Sequence, residues 1–265
     1  MFHSKRVLVL IFSILLWTFS GCGAEAAPSA SVTIPPAEAI VQTITEPIPT
    51  TEPAPTQPEH SPLYLPDVAV EDVIRYFNEV CLDSEFMNGG DPSFVQKWTA
   101  SIHYTLEGEY TEEDLRVLES FENFLNSIEG FPGIQASEDP SGANLRIVFC
   151  TQEEILEIMG QDFINTDGAV TFWYYEDEIY DAIICYRTDV DQQIRNSVIL
   201  EEIYNGLGPV QDTDLREDSI IYSGFSQPQW LTAMDELLLK LLYHPDILPG
   251  MDAAECEQII RQLYY

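Results

Sequence analysis

Apolar residues recur every three or four positions along much of the chain, and this spacing is typical of amphipathic helices. Two of the stretches open with Thr111 and Thr151, each followed three residues later by an acidic residue, which is the pattern of a capping box. We predict helices over residues 68–82, from 111 to about 128, from 151 to about 159, from about 190 to 207 and over 231–244, with a short last helix capped by Asp252.

Runs rich in β-branched and aromatic residues lie between these stretches and predict strands. We place strands over residues 98–106, 145–150, 169–175 and 179–187, the last two forming a hairpin, and a loop over 130–143. Alternating strands and helices predict an α/β or α+β domain. We expect a mixed twisted sheet, with the helix over 190–207 buried beneath it and helices at the C-terminal end.

The first 22 residues have the features of a bacterial lipoprotein signal. Lys5 and Arg6 precede an apolar run over 7–19, which is too short to favour a spanning helix. The sequence Phe-Ser-Gly-Cys then ends at Cys22, whose side chain we expect to be lipidated and to hold the protein at the extracellular face of the cell membrane. An ordinary secretory signal cut near residues 24–27 is the alternative.

A tether and one globular domain follow the predicted signal. Residues 23–62 are rich in Pro and Thr and contain no Lys or Arg, so we predict a disordered spacer. Residues 63–265 are long enough to form one domain with a substantial core.

The strongly acidic composition excludes one class of partner. The chain carries 11 basic and 45 acidic residues, a net charge of −34, and loss of Lys5 and Arg6 with the signal leaves 9 against 45, or −36. A field of this sign repels phosphate backbones, so we predict no binding of nucleic acid. The negative charge keeps the protein soluble, or it attracts cations or a basic partner.

Four cysteines remain besides Cys22. Their even number in an exported chain allows two disulfides with three possible connectivities, and buried free thiols are the alternative. These cysteines are Cys81, Cys150, Cys185 and Cys256.

The predicted helix over 190–207 carries a group of polar residues among apolar neighbours. Glu201 and Asn205 are one turn apart and Glu202 lies beside them, while apolar residues occupy both sides of the same helix. If the two glutamates are buried, their pKa values should rise unless a cation pairs with them. Candidate cations are Arg195, Arg216 and Lys240. A solvated helix edge is the alternative interpretation.

Three segments resemble a domain-of-unknown-function family of secreted bacterial proteins related to the metzincin-like zincins. Residues 200–208 have the frame of the zinc helix His-Glu-x-x-His-x-x-Gly-x-x-His, residues 218–222 resemble the turn beneath the zinc, and residues 231–243 resemble the closing helix. In this frame the ligand positions hold Glu201, Asn205 and Gln211. The position of the catalytic glutamate holds Glu202.

The missing histidines change what the resemblance implies. Asn and Gln are poor ligands for zinc, so we expect no metal and no other cofactor. Oxygen donors suit calcium or another divalent metal better, and the alternative ligand set is Glu201, Asn205, Gln211 and Asp212.

The resemblance leads to three functional hypotheses. The first is a non-catalytic, degenerate metalloprotease-like domain that binds a peptide, glycan or partner protein in a cleft lined by Glu201, Glu202, Asn205, Gln211 and Tyr222. The second is a metal-dependent hydrolase, a peptidase, in which Glu202 is the general base. The third is a structural envelope protein.

Overall fold

The computed structural model describes residues 5–9, 61–82, 94–224 and 227–265. Cys22 and almost all of the predicted tether lie outside the described residues. In the described part of the chain, no helix is long and apolar enough to cross a membrane.

A seven-stranded mixed sheet runs through the described residues. The order is β1-β6-β7-β5-β3-β4, with β2 also paired to β7. The strands β4, β3, β5 and β7 are parallel to one another. At the other edge, β6 lies antiparallel to β7, and β1 lies antiparallel to β6. This confirms the predicted mixed α/β architecture. The strands are β1 (Lys5–Val9), β2 (Lys97–Trp98), β3 (Ile102–Gly108), β4 (Ile134–Ala136), β5 (Leu145–Cys150), β6 (Gly168–Tyr175) and β7 (Glu178–Arg187).

Two predictions about strands are wrong in detail. The run predicted as one strand over 98–106 is divided into β2 and β3, and the Ser101 hydroxyl between them donates to the Pro132 carbonyl. The loop predicted over 130–143 contains β4. This short strand forms because the Asn126 side chain bonds both the N–H and the carbonyl of Ile134, which fixes it beside β3. Neither the break nor β4 has a periodic pattern.

Every predicted helix is present, with ends within a few residues of those expected. Capping boxes start α2 at Thr111 and α3 at Thr151, and Asp252 caps α6, all as predicted. A further capping box, at Thr232, starts α5. The helices are α1 (Val70–Leu82), α2 (Glu112–Asn126), α3 (Gln152–Ile158), α4 (Gln192–Gly206), α5 (Ala233–Leu242) and α6 (Ala253–Tyr264).

The helix α4 is the buried central helix that the sequence predicts. It packs on β6 and β7 and on α2, and it buries apolar side chains on more than one side, including Val198, Leu200 and Ile203. Its backbone is also bound from outside the helix: the Tyr186 hydroxyl donates to the Ile199 carbonyl, and the Trp98 indole donates to the Gly206 carbonyl. These contacts fix the rotation of α4 and therefore the direction of its polar residues.

A buried carboxylate joins α5 to the segment before it. Asp235 accepts hydrogen bonds from the hydroxyls of Tyr76 and Ser219 and from the backbone N–H of Ile220, besides capping its own helix at Thr232. The segment over 218–222, which resembles the turn beneath the zinc, is therefore joined to the first turn of α5 by hydrogen bonds to the Asp235 carboxyl group.

Candidate functional site

Glu202 and Asn205 of α4 are buried in the molecule, and Glu202 lies beneath the first residue of β6. Asn205 is 0 % exposed and Glu202 is 1 % exposed, whereas Glu201 is partly exposed. Gly168 lies directly on Glu202, because a Cβ built at Gly168 would be 2.7 Å from Glu202 Oε1 and 2.4 Å from Val198 Cγ1. Glycine therefore allows β6 to approach α4 closely.

Hydrogen-bonding capacity remains unused at this position. Within the described residues, neither Oδ1 nor Nδ2 of Asn205 has a hydrogen-bond partner, and Glu202 Oε2 also has none. A buried polar atom without a partner costs about 1–3 kcal/mol, so native proteins rarely leave several together. The arrangement is typical of a site completed by a polar ligand, a cation or water.

Burial raises the pKa of Glu202, and the charges of Glu201 and Asp212 raise it further. The pKa of Glu201 is also raised, first by burial and then by Asp212 and Asp167. A raised pKa widens the pH range over which a carboxyl group is protonated, and a protonated carboxyl group can donate a hydrogen bond as well as accept one.

The predicted cationic partners of these glutamates are wrong. Each of the three basic side chains forms an ion pair with a different acid: Arg195 with Asp114, Arg216 with Asp218 and Lys240 with Glu236. No guanidinium or ammonium group among the described residues therefore offsets the raised pKa values of Glu201 and Glu202 by direct pairing.

The loop after α4 carries the remaining predicted site residues. The backbone N–H groups of Val210 and Gln211 both donate to the Val80 carbonyl, which holds the start of the loop against the end of α1. Thr213 then pairs with Tyr222. The charge of Asp212, the residue before Thr213 in this loop, raises the pKa values of both Glu201 and Glu202.

The donor set does not fit zinc. Within residues 61–82, 94–224 and 227–265, no three His, Cys, Asp or Glu side chains converge in a way that could hold a metal ion. The two histidines of the domain lie elsewhere, His103 on β3 beside Gln135 and His244 just after α5. The oxygen set proposed for calcium suits that ion chemically, and its occupancy stays a prediction.

A comparison with protein families places this site in a known domain. The model of the family described as "Protein of unknown function (DUF2927)" matches residues 70–262. The chain belongs to the DUF2927 family. No curated protein matches the chain. The match runs from the start of α1 almost to the end of α6, so the polar site of α4 lies wholly within the DUF2927 domain.

Sequence reasoning missed Gly168 as part of the site of this DUF2927 domain. The signal for it is weak, because a glycine just before a strand is ordinarily a loop residue. Only the packing of α4 against β6 shows that a side chain at position 168 would displace Glu202.

Proposed function

We propose that the chain is a surface-anchored lipoprotein whose DUF2927 domain is a degenerate, non-catalytic zincin-like domain that binds an extended peptide segment of a partner protein. The lipid anchor is Cys22, as the signal-like sequence indicates. The absence of histidine from positions 201, 205 and 211 supports a binding role over a zinc-dependent one.

The pairing of β1 with β6 carries this proposal. The backbone of Lys5–Val9 lies antiparallel along the outer edge of β6, with five residues in continuous register from Val170 to Tyr174. This edge of the sheet thus accepts a short extended segment. Addition of a strand to a sheet edge is a recurring mode of peptide recognition, in which main-chain hydrogen bonds supply affinity.

The same edge becomes available if the signal is removed. Lys5–Val9 falls within the predicted signal, so a mature chain that starts at Cys22 lacks the segment paired with β6. An unpaired edge strand exposes a row of N–H and carbonyl groups that another chain can satisfy.

The chemistry of the peptide follows from charge. A mature chain with nine basic and 45 acidic residues attracts a cationic segment and repels an acidic one. The segment paired with β6 itself contains Lys5 and Arg6. We therefore propose an extended basic and apolar segment as the ligand.

The experiment measures binding of a fluorescent peptide copying residues 4–10 to a protein that starts at residue 23. Two further peptides carry a single N-methyl group, one on Val7 and one on Leu8. Successive N–H groups of a strand point in opposite directions, so only one of these two positions donates to β6. We expect one N-methyl peptide to bind about tenfold more weakly than the parent and the other to bind almost unchanged.

A protein that retains residues 1–22 is the matched control, and it should bind the peptide more weakly because its own β1 competes for the edge. Loss of affinity at both positions, or at neither, would contradict strand addition. No measurable binding by the protein that starts at residue 23 would also reject the proposal.

The second candidate is a metal-dependent hydrolase in which Glu202 activates water. The unsatisfied oxygens Asn205 Oδ1 and Glu202 Oε2 favour it, since a cation would satisfy both of them. Metal analysis by mass spectrometry, joined to melting temperatures in calcium, zinc and chelator, tests it. About one metal per chain, with a chelator-sensitive melt that Glu201→Ala abolishes, would support the hydrolase. No metal and no shift would exclude it.

A further inference from the structure

The sheet has two edges, and the peptide-binding proposal concerns only one of them. In a chain without Lys5–Val9, β6 is the last strand on one side of the sheet, and β4 is the last strand on the other. An edge strand offers its outward N–H and carbonyl groups to any extended segment unless something already binds them. Whether a segment can add to β4 therefore depends on what its outward backbone groups bind.

The outward groups of β4 belong to Ile134. The N–H of Ile102, on β3, donates to the Gly133 carbonyl, and the peptide unit that contains this carbonyl also contains the Ile134 N–H. The carbonyl and the N–H of a trans peptide point in opposite directions, so the Ile134 N–H points away from β3. It lies on the side of β4 at which another strand would pair.

One side chain occupies both backbone groups of Ile134. Asn126, the last residue of α2, donates through Nδ2 to the Ile134 carbonyl at 2.9 Å. The Ile134 N–H donates to Asn126 Oδ1, also at 2.9 Å. A carboxamide has the same kinds of donor and acceptor as a peptide group. Asn126 thus takes the place that the backbone of an added strand would occupy.

A groove beside β4 leaves room for an extended segment. Its volume is about 340 Å³, which is within the range of ligand pockets in proteins. Among the described residues that line the groove, Asn126 is the one whose side chain bonds the backbone of β4. The carboxamide, rather than a lack of space, therefore covers this edge. The lining residues are Ser101, Glu122, Asn126, Gly133, Ile134 and Gln135.

We infer that Asn126 closes the β4 edge to strand addition and thereby restricts the extended peptide to β6. The restriction rests on the proposed function, whereas the closure of β4 is a property of the sheet itself. β3 also holds β4 from the inner side, because Ile102 bonds Gly133 and the Ser137 N–H donates to the Tyr104 carbonyl. Loss of the carboxamide should therefore expose this edge of the sheet while β4 stays beside β3.

Two variants of Asn126 open the edge to different degrees. Asn126→Ala removes both hydrogen bonds to Ile134. Asn126→Asp keeps an acceptor for the Ile134 N–H, which helps to hold β4 in place, but an ionised carboxylate cannot donate to the Ile134 carbonyl. Asn123→Ala is the matched control, since Asn123 is an exposed asparagine of the same helix that does not line the groove. Urea unfolding of each variant checks that the fold is retained.

The test locates the bound peptide by photo-cross-linking. A peptide copying residues 4–10, with a benzophenone amino acid in place of Leu10, is irradiated with the protein that starts at residue 23, and mass spectrometry identifies the cross-linked residues. β4 lies four strands from β6, or about 19 Å across the sheet, so the two edges are distinguishable. We expect cross-links at β6 alone in the parent and in Asn123→Ala. Both Asn126 variants should gain a second cross-linked region at β4, with the higher yield in Asn126→Ala.

The two edges report on different proposals. Cross-links at β4 in the parent, or their absence from both Asn126 variants, would overturn the inference about Asn126. Cross-links at β6 test the proposed function separately. If they were missing from the parent while both Asn126 variants gained cross-links at β4, the peptide-binding proposal would fail and the closure of β4 by Asn126 would stand.

Discussion

At the scale of single residues, Gly168 allows α4 and β6 to pack closely because it has no side chain. An added methyl group would overlap Val198 and Glu202, and overpacking of a close-packed core typically costs about 1–3 kcal/mol. Gly168→Ala should therefore lower the free energy of unfolding by that amount, measured by urea denaturation. Gly142→Ala is the control, since a Cβ there would meet no atom within 4 Å. Equal stability of the two variants would mean that β6 does not lie on α4 as described.

At the same scale, the sequence predicts the polar cluster of the site but not the partners of its basic residues. The spacing of Glu201 and Asn205 predicts one polar cluster, and burial of Asn205 and Glu202 within α4 agrees with it. The cationic partners are not predictable in this way. Lys240 pairs with Glu236 on its own helix, while Arg195 pairs with Asp114, 81 positions away. Such a pair depends on how two helices pack, and no local pattern encodes it.

At the scale of elements, helix ends were predictable because capping boxes are local. Thr111 and Asp114 bond one another's backbone whatever lies around them. The strand β4 was not predictable, because three residues carry no period and its position depends on the Asn126 side chain of another element. Elements that are held by their own residues can be identified from sequence, whereas elements that are held by their neighbours cannot.

The contact between α2 and α4 depends on a buried ion pair between Asp114 and Arg195, of which the acid is 0 % and the base 7 % exposed. Loss of one partner leaves the other charged and buried, at a cost of about 3–5 kcal/mol. Asp114→Asn should lower the stability to unfolding by about that amount, and by much less in an Arg195→Leu background. Glu113→Gln removes the exposed pair with Arg116 and should cost less than about 1 kcal/mol. An equal cost of Asp114→Asn in both backgrounds would mean that the pair is not coupled.

At the scale of the whole molecule, the order of the strands in the sheet could not be predicted from the sequence. Periodicity predicts that β5, β6 and β7 exist, but it does not show that β5 and β7 lie side by side in parallel with β6 beyond them. That order places α4 under β6. The site is a consequence of long-range pairing, and it could not be located before the folded chain was known.

Stability of the whole domain should fall as the pH rises from mildly acidic values, because Glu201 and Glu202 have raised pKa values in the folded state. A glutamate in the unfolded chain titrates near about 4.3. In the window between that value and the folded pKa, the native protein binds more protons than the unfolded chain, so the free energy of unfolding declines as the pH increases. Below the window each glutamate makes its full contribution to the free energy of unfolding, and this contribution is lost as the pH rises through the pKa of the folded state.

Glu202→Gln removes one titrating group at this site, and urea unfolding at pH 5 and pH 8 measures the effect. We expect the variant to gain stability relative to the parent between pH 5 and pH 8, since it no longer has to keep a carboxyl group protonated.

Glu107→Gln provides the contrast. A hydrogen bond from Arg146 lowers the pKa of Glu107, so its contribution is lost only as the pH falls below the usual range of a glutamate, and the cost of this variant should be equal at pH 5 and pH 8. If the difference between the parent and Glu202→Gln were also independent of pH, Glu202 would be ionised in the folded protein, and a bound cation rather than a neutral carboxyl group would then account for the polar site beneath β6.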